Sequence, residues 1–507
     1  MTSRLYGLYY RIMAAHGRIG QAEIVQSEHS SPAYRQISHH FEALVRNGEL
    51  RPGDRLPTVR EVARRTGFNK ATVCQGFGDL QRRGLVVSRP GRGTVVSDRP
   101  GGSAVFPVAE RIQGLYRSLK PDSARRDTPS LYDFASLWPE PGLFPLRALG
   151  RILERLLRGS PELLQYGPAQ GYRPLRRYLE ERAGRLGVGE GEVLIVQGSQ
   201  QGLDLVFRTF LNPGESVAVE SPTYANILPQ MALHQARVVP IRMEADGLAI
   251  EELDAATRRD GVRALYFMPN FQNPTGITMS ERKRVQLARF AASSGLLVVE
   301  DDFEHDLHFT GRTKRPVAGR HPAANVIYLS SFSKSLLPGL RLGWMVVPRA
   351  LAQPIVLAKK YTDIYTSVLI QAALLEFCRS GQYDRHVRRL RRVYHDRTKA
   401  ARSTVQRYMP RGTSCADPEG GFSLWVTLPV GYDADALAAE AGHHGVHITP
   451  GSMFHANGRE GERSFRLSLS LMDESQIEAG IRILGKLLRR PQGRARSAEE
   501  LPGTLCL

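Results

Sequence analysis

The chain has 507 residues, 42% hydrophobic and 23% charged, with a formal net charge of +19. It is too long for one ordinary domain, and its composition is that of a globular protein. No apolar run approaches the ~20 residues of a membrane span, Met1 to Gly20 lacks the apolar core of a signal peptide, and Cys74, Cys378, Cys415 and Cys506 show no metal-type spacing. A reduced, cytoplasmic protein with a polyanionic partner and no membrane association is the expectation.

Residues 1–30 are polar and weakly patterned, an N-terminal extension. From Ala33 onward Tyr34, Ile37, Phe41, Leu44 and Val45 recur at helical spacing, and Gly48 ends that helix. Thr58 with Glu61 three residues later is a capping box that opens a second helix, and Gly67 breaks it. A third begins near Asn69 and carries Val73, Phe77 and Leu80. Gly76 and Gly78 lie inside it, each costing roughly 1 kcal/mol relative to Ala, which predicts a loose helix. Leu85–Val87 and Thr94–Val96 read as short strands around a basic turn. Three helices and a basic hairpin predict a winged helix-turn-helix over residues 31–98.

Between Arg55 and Arg92 nine Lys and Arg stand against two acids, Glu61 and Asp79. Such a density neutralises phosphates. Gly53-Asp54-Arg55-Leu56-Pro57, Arg60-Glu61, Thr72-Val73 and Gly91-Arg92-Gly93-Thr94 resemble the N-terminal domain of GntR-type bacterial regulators. The resemblance implies double-stranded DNA as a partner. It places Arg55 and Arg60 at backbone or bases. Asn69, Lys70 and Thr72 open the recognition helix, and Arg92 and Gly93 form the wing tip.

Residues 99–130 have linker composition. From Leu131 to Arg490 apolar runs alternate with helical patterns, as in parallel α/β sheets. The runs are Val193–Val196, Ser216–Val219, Ala264–Met268, Leu296–Val299, Val326–Leu329 and Trp344–Val347. After Gly421 the pattern shortens into a smaller subdomain. Residues 491–507 read as a disordered tail.

Four of these runs end in loops with chemistry. After Val326–Leu329 come Ser331, Ser333, Lys334 and Arg341. A lysine forms a Schiff base with an aldehyde, and serines with an arginine hold a phosphate; pyridoxal phosphate (PLP) presents both groups. Gly198-Ser199-Gln200 opens a helix whose N–H groups suit phosphate. Asn273 can donate to the cofactor's phenolate oxygen. Asp301, at a strand end, can pair with its pyridine nitrogen. Each loop alone has an ordinary reading as a turn or a solvated strand end. Together they resemble fold type I aminotransferases.

That resemblance implies an α/β architecture, the PLP-dependent transferase fold type I. Its large subdomain has a mostly parallel sheet, and its smaller subdomain is α+β. Together they span residues 131–490, and the protein is expected to be a homodimer. Lys334 becomes the Schiff-base lysine and, with Asp301, the catalytic pair. Asn273 faces O3′ and Tyr224 stacks on the ring. Ser199, Gln200, Ser331 and Arg341 hold the phosphate, and Tyr166 reaches the phosphate of the other subunit. Arg466 clamps a substrate α-carboxylate as a two-donor fork. The bond Asn273–Pro274 is expected to be cis.

The two halves in one chain resemble the MocR/GabR subfamily of GntR regulators. There the PLP domain senses an amine or amino-acid-like effector, here through a Lys334 aldimine. The same residues are complete enough for an active aminotransferase carrying a DNA-binding domain, so turnover stays open. Phe303 stands where many relatives carry a tyrosine that hydrogen-bonds O3′. His305, His308, His443, His444 and His447 match no metal-ligand set, and no metal is expected. Arg385–Arg392 is a basic helix, read either as a solvated face or as a contact to the DNA backbone.

Overall fold

The computed structural model describes residues 32–89, 93–97, 112, 131–309, 314–458 and 460–489, and the chain divides into two compact units, 1–109 and 110–507. The expected extension, most of the linker, the tail and Arg92 lie outside the described residues.

In the first unit, helices Ala33–Arg46, Val59–Thr66 and Lys70–Arg82 precede an antiparallel hairpin of β1 (Val86–Arg89) and β2 (Gly93–Val96). The caps form as the sequence dictates. Thr58 and Glu61 make a reciprocal capping box, Gly67 ends that helix with φ +75°, and Asn69 caps the third by accepting from the Thr72 backbone N–H. Ile37, Phe41, Val62, Val73, Phe77, Leu80 and Val96 close a small core, with Phe41 and Phe77 edge to face. Gly76 corrects the expectation of a merely loose helix. It is buried, and a Cβ there would lie 2.9 Å from the Tyr34 carbonyl oxygen and 3.0 Å from Ile37 Cγ2. The missing side chain is what lets the first and third helices touch.

The second unit contains β3 (Tyr132–Asp133), β4 (Glu192–Val196), β5 (Ser216–Ser221), β6 (Arg237–Glu244), β7 (Gly247–Leu248), β8 (Val262–Phe267), β9 (Leu297–Asp301), β10 (Val326–Ser331) and β11 (Gly343–Val347). A smaller sheet follows from β12 (Ser414–Cys415), β13 (Ser423–Thr427), β15 (Thr449–Pro450) and β16 (Ser464–Ser468), while β14 (Val446–His447) pairs with β3. The large sheet has the order β4-β11-β10-β9-β8-β5-β6-β7.

Both faces of the large sheet are covered, which is why its strands are nearly continuous apolar runs. Successive residues alternate between two cores. Val193, Ile195, Leu265, Phe267, Tyr328 and Trp344 pack on one face; Leu194, Val196, Ala264, Tyr266, Ile327, Leu329 and Met345 pack on the other. The run Trp344–Val347 departs from the parallel expectation: β11 lies antiparallel to both β10 and β4. The chain therefore leaves β10 and re-enters β11 at the same sheet edge, and residues 332–342 stay above that edge. The run missing from the sequence reading is β6. Its outer face alternates polar and apolar, and Pro240 is tolerated because β7 pairs only with Met243 and Glu244.

Candidate functional site

In the first unit Arg55, Arg60, Asn69 and Lys70 are exposed. Arg60 lies in the first turn of the second helix and Lys70 begins the third. Asn69 Oδ1 accepts from both the backbone N–H and the hydroxyl of Thr72, at 2.7 and 2.9 Å. These two side chains therefore brace the start of the helix. Arg55 sits against the wing: a Cβ on Gly93, which has φ +77°, would lie 2.8 Å from Arg55 Nε.

In the second unit the carboxyl ends of β4, β5, β8, β9 and β10 converge with Arg466 of β16 around a cavity of about 300 Å³. Lys334, Asp301, Asn273, Tyr224, Ser199, Gln200, Ser331, Arg341, Phe303 and Arg466 all line it. Tyr166 does not. It is 82% exposed and its ring meets Tyr365 edge to face.

Each wall follows from local structure. Gly198 caps the helix Ser199–Phe210 with φ +79°, and a Cβ there would lie 2.8 Å from an Arg341 guanidinium nitrogen. Only glycine meets both demands. Arg341 itself donates to the Gln197 carbonyl at 2.9 Å. Ser331 Oγ donates to Ser333 Oγ at 3.0 Å. The bonds Asn273–Pro274 and Ser221–Pro222 are cis. Arg466 donates to Asn273 Oδ1 at 3.0 Å, to the Ala135 carbonyl at 2.6 Å and to Thr449 Oγ1 at 3.3 Å. A guanidinium only donates, so this contact fixes the Asn273 amide with its nitrogen turned away from Arg466.

The charges are perturbed. Burial pushes the Asp301 carboxyl up to about 7, against the Tyr266 hydroxyl, which donates to Oδ2 at 3.0 Å. Burial also pulls the Lys334 ammonium down to about 8, with Glu304 opposing. Lys334 Nζ donates to the Leu137 carbonyl at 2.6 Å. Three buried atoms on these walls have no hydrogen-bond partner: Ser199 Oγ, Asn273 Nδ2 and Asp301 Oδ1. Buried polar atoms are normally paired, so the site suits a ligand that accepts from the first two and donates to the third.

Residues 146–484 match the model of the family described as aminotransferase class I and II, and residues 33–96 match that of the bacterial regulatory proteins of the gntR family. This chain belongs to the aminotransferase class I and II family. Its GntR segment gives it the architecture of the MocR-type regulators. It is 36% identical over 366 residues to the 2-aminoadipate transaminase of Thermus thermophilus, covering 71% of this chain and 91% of that protein. It is 30% identical over 471 residues to the HTH-type transcriptional regulator YdcR of Escherichia coli, covering 90% and 99%. The "Probable rhizopine catabolism regulatory protein MocR" of Rhizobium meliloti is 29% identical over 445 residues, covering 85% and 89%. The kynurenine aminotransferase of Pyrococcus horikoshii, solved in complex with PMP, superimposes with a TM-score of 0.69 at 32% identity, over 77% of this chain and 96% of that one.

The aminotransferase family is PLP-dependent, and the three unpartnered atoms fit that cofactor. Its phosphate and phenolate oxygens accept, and its protonated pyridine nitrogen donates. Sequence reasoning missed several lining residues: Trp138, Asn226, Tyr266, Thr449, Met453 and Phe454. Tyr266 sits inside an apolar run and read as core. Its signal was a hydroxyl near the end of a strand beside the Asp301 strand. His305 serves packing, as expected for a histidine outside any ligand set: its Nδ1 pairs with Asp302 Oδ2 at 2.8 Å. No helix among the described residues is long and apolar enough to cross a membrane.

Proposed function

We propose that this regulator binds PLP in its aminotransferase-type unit and senses an amine or amino acid through Lys334, which alters how its winged helix meets DNA. The observation that carries the reading is the triad of unpartnered atoms around Lys334, namely Ser199 Oγ, Asn273 Nδ2 and Asp301 Oδ1. When bound, PLP supplies an aldehyde and an electron-withdrawing ring. Lys334 supplies the amine, and burial keeps more of it neutral at neutral pH than an exposed lysine. Asp301 holds the proton on the pyridine nitrogen, and that cation relieves the cost of its own burial. Ser199, Gln200, Ser331 and Arg341 hold the phosphate at a helix N-terminus. Asn273 donates to the phenolate oxygen and Tyr224 covers one ring face. Arg466 offers its fork to the effector's carboxylate.

Tyr166, exposed and outside the cavity, suits a reach into a second copy's site. Leu146, Leu157, Leu164, Leu357, Tyr361 and Ile364 are exposed as well, in keeping with a homodimer. The winged helix takes residues 31–98 and the cofactor unit 131–490, and DNA binding places the protein in the cytoplasm. Arg55, Arg60, Asn69, Lys70, Thr72, Arg92 and Gly93 form the DNA-binding set.

A working aminotransferase with an appended DNA-binding unit is the second reading, favoured by the 36% identity to a transaminase. One experiment separates the two. The loaded protein is mixed with a panel of amino acids, and its spectrum and its gel shift on DNA from its own promoter region are followed together. The sensor reading expects a spectral change with altered DNA binding and little keto acid. Sustained keto-acid production with unaltered DNA binding would overturn it.

A further inference from the structure

The residue after Phe303 has no assigned role. Glu304 is only 2% exposed, and its Oε1 has no hydrogen-bond partner. It forms no ion pair within 4 Å among the described residues. Two other buried glutamates at strand ends of the same sheet behave differently. Glu220 accepts from the Met268 N–H and from Gln272 Nε2, and Glu300 accepts from the Val317 and Ala318 N–H groups. Those two satisfy backbone and loops. Glu304 satisfies nothing, and a buried polar group without a partner costs stability.

Its surroundings point at Lys334. The Glu304 carbonyl accepts from the Leu307 N–H at 2.8 Å, and Leu307 packs with Tyr394 and Phe422, with Leu137 beside them. The Leu137 carbonyl is the one that accepts from Lys334 Nζ. The carboxylate and the ammonium are thus tethered to one small apolar cluster. On the far side, Gly421 leaves the room: a Cβ there would collide with Glu304 Oε2. The Tyr394 hydroxyl is also buried without a partner. The charged groups facing Glu304 are Lys334 and Arg466, which favour its ionised form, and Asp301, which opposes it; burial pushes it up to about 8. Seen from Lys334, burial dominates, and Glu304 is the largest charge acting to keep the ammonium.

We propose that Glu304 is a positioning residue for Lys334, whose charge sets how readily that amine gives up its proton and so how readily it reacts with a cofactor aldehyde. This rests on reading Lys334 as the cofactor lysine.

The test uses cofactor-free full-length protein. Acetylation of Lys334 by acetic anhydride across pH, read by mass spectrometry of its peptide, gives the midpoint of the amine. Glu304→Gln removes the charge and should lower that midpoint by about 1 pH unit, the scale of one nearby charge. Glu304→Met, similar in volume and apolar, should lower it likewise and covers the case in which the amide is not accommodated. Glu304→Asp keeps the charge and should return the midpoint toward that of the unsubstituted protein. An unmoved midpoint in both the Gln and Met variants overturns the proposal. Borohydride reduction of the loaded, unsubstituted protein keeps the two readings apart. Cofactor fixed on Lys334 with an unmoved midpoint removes only the role of Glu304. Cofactor fixed elsewhere removes the cofactor reading itself.

Discussion

Two glycines in the third helix should respond oppositely to the same substitution. Ala at either position gains about 1 kcal/mol of helix propensity. At Gly78 a Cβ meets nothing within 4 Å, so the gain stands. At Gly76 the new carbon would lie 2.9 Å from a backbone carbonyl oxygen and 3.0 and 3.1 Å from two carbons of Ile37. A carbonyl cannot rotate away, so the first and third helices must separate. Overpacking of this kind costs about 1–3 kcal/mol. The propensity term cancels between the two variants, so they should differ by that amount. At about 1.4 kcal/mol per tenfold, this is about 5- to 140-fold in local opening. Trp138, Trp344 and Trp425 all lie in the second unit, so fluorescence does not report on this helix. Hydrogen exchange read by mass spectrometry on peptides from 33–46 and 70–82 does. Gly78→Ala should slow exchange and keep DNA affinity. Gly76→Ala should speed exchange relative to Gly78→Ala and weaken DNA binding, because the recognition helix shifts. Equal protection in the two variants would refute the packing argument.

Lys334→Ala should remain folded and lack the visible absorbance of bound cofactor after dialysis; a band that survives removes Lys334 as the anchor. Arg60→Ala should weaken operator binding by about 1–3 kcal/mol if it reads a base edge, whereas a phosphate contact would lose affinity evenly across sequences and flatten the salt slope. Mutant and unsubstituted protein binding every duplex alike would take Arg60 out of the interface. Because burial holds Lys334 near 8 rather than at its ordinary 10.5, cofactor uptake by the empty protein should quicken with rising pH and level off above about 8. Stopped-flow mixing with PLP checks this, and a rate still climbing steadily to pH 10 would contradict it. Phe303→Tyr adds a donor beside the phenolate oxygen, which favours its charged form. The pH titration of the visible band should move downward, and superimposable curves would mean that position 303 does not face that oxygen.

Much of the site was legible because its groups sit at the ends of apolar runs. Period-two burial on both faces makes such runs conspicuous, and a lysine, an asparagine or an aspartate at their ends stands out against them. Lys334, Asn273, Asp301 and Arg466 were found that way or by motif, and they line one cavity. The caps of the first unit were equally local, since Thr58 with Glu61 and Asn69 with Thr72 interact within one turn.

Tertiary structure decided what depends on a partner distant in sequence. The direction of β11 follows from which strands it joins, not from Trp344–Val347 themselves, and it holds Lys334 and Arg341 above one edge. β6 was hidden because its outer side is nearly free of neighbours, so its pattern looked like a loop's. The orientation of the Asn273 amide is imposed by Arg466, 193 residues away. Gly76 reads as a weakness in its own helix and becomes a contact only when Tyr34 and Ile37 are laid against it. Glu304 was the least visible of all. A glutamate after a strand reads as solvated, and only the packing of Leu307, Phe422 and Gly421 shows that it is buried near the lysine on which the cavity turns.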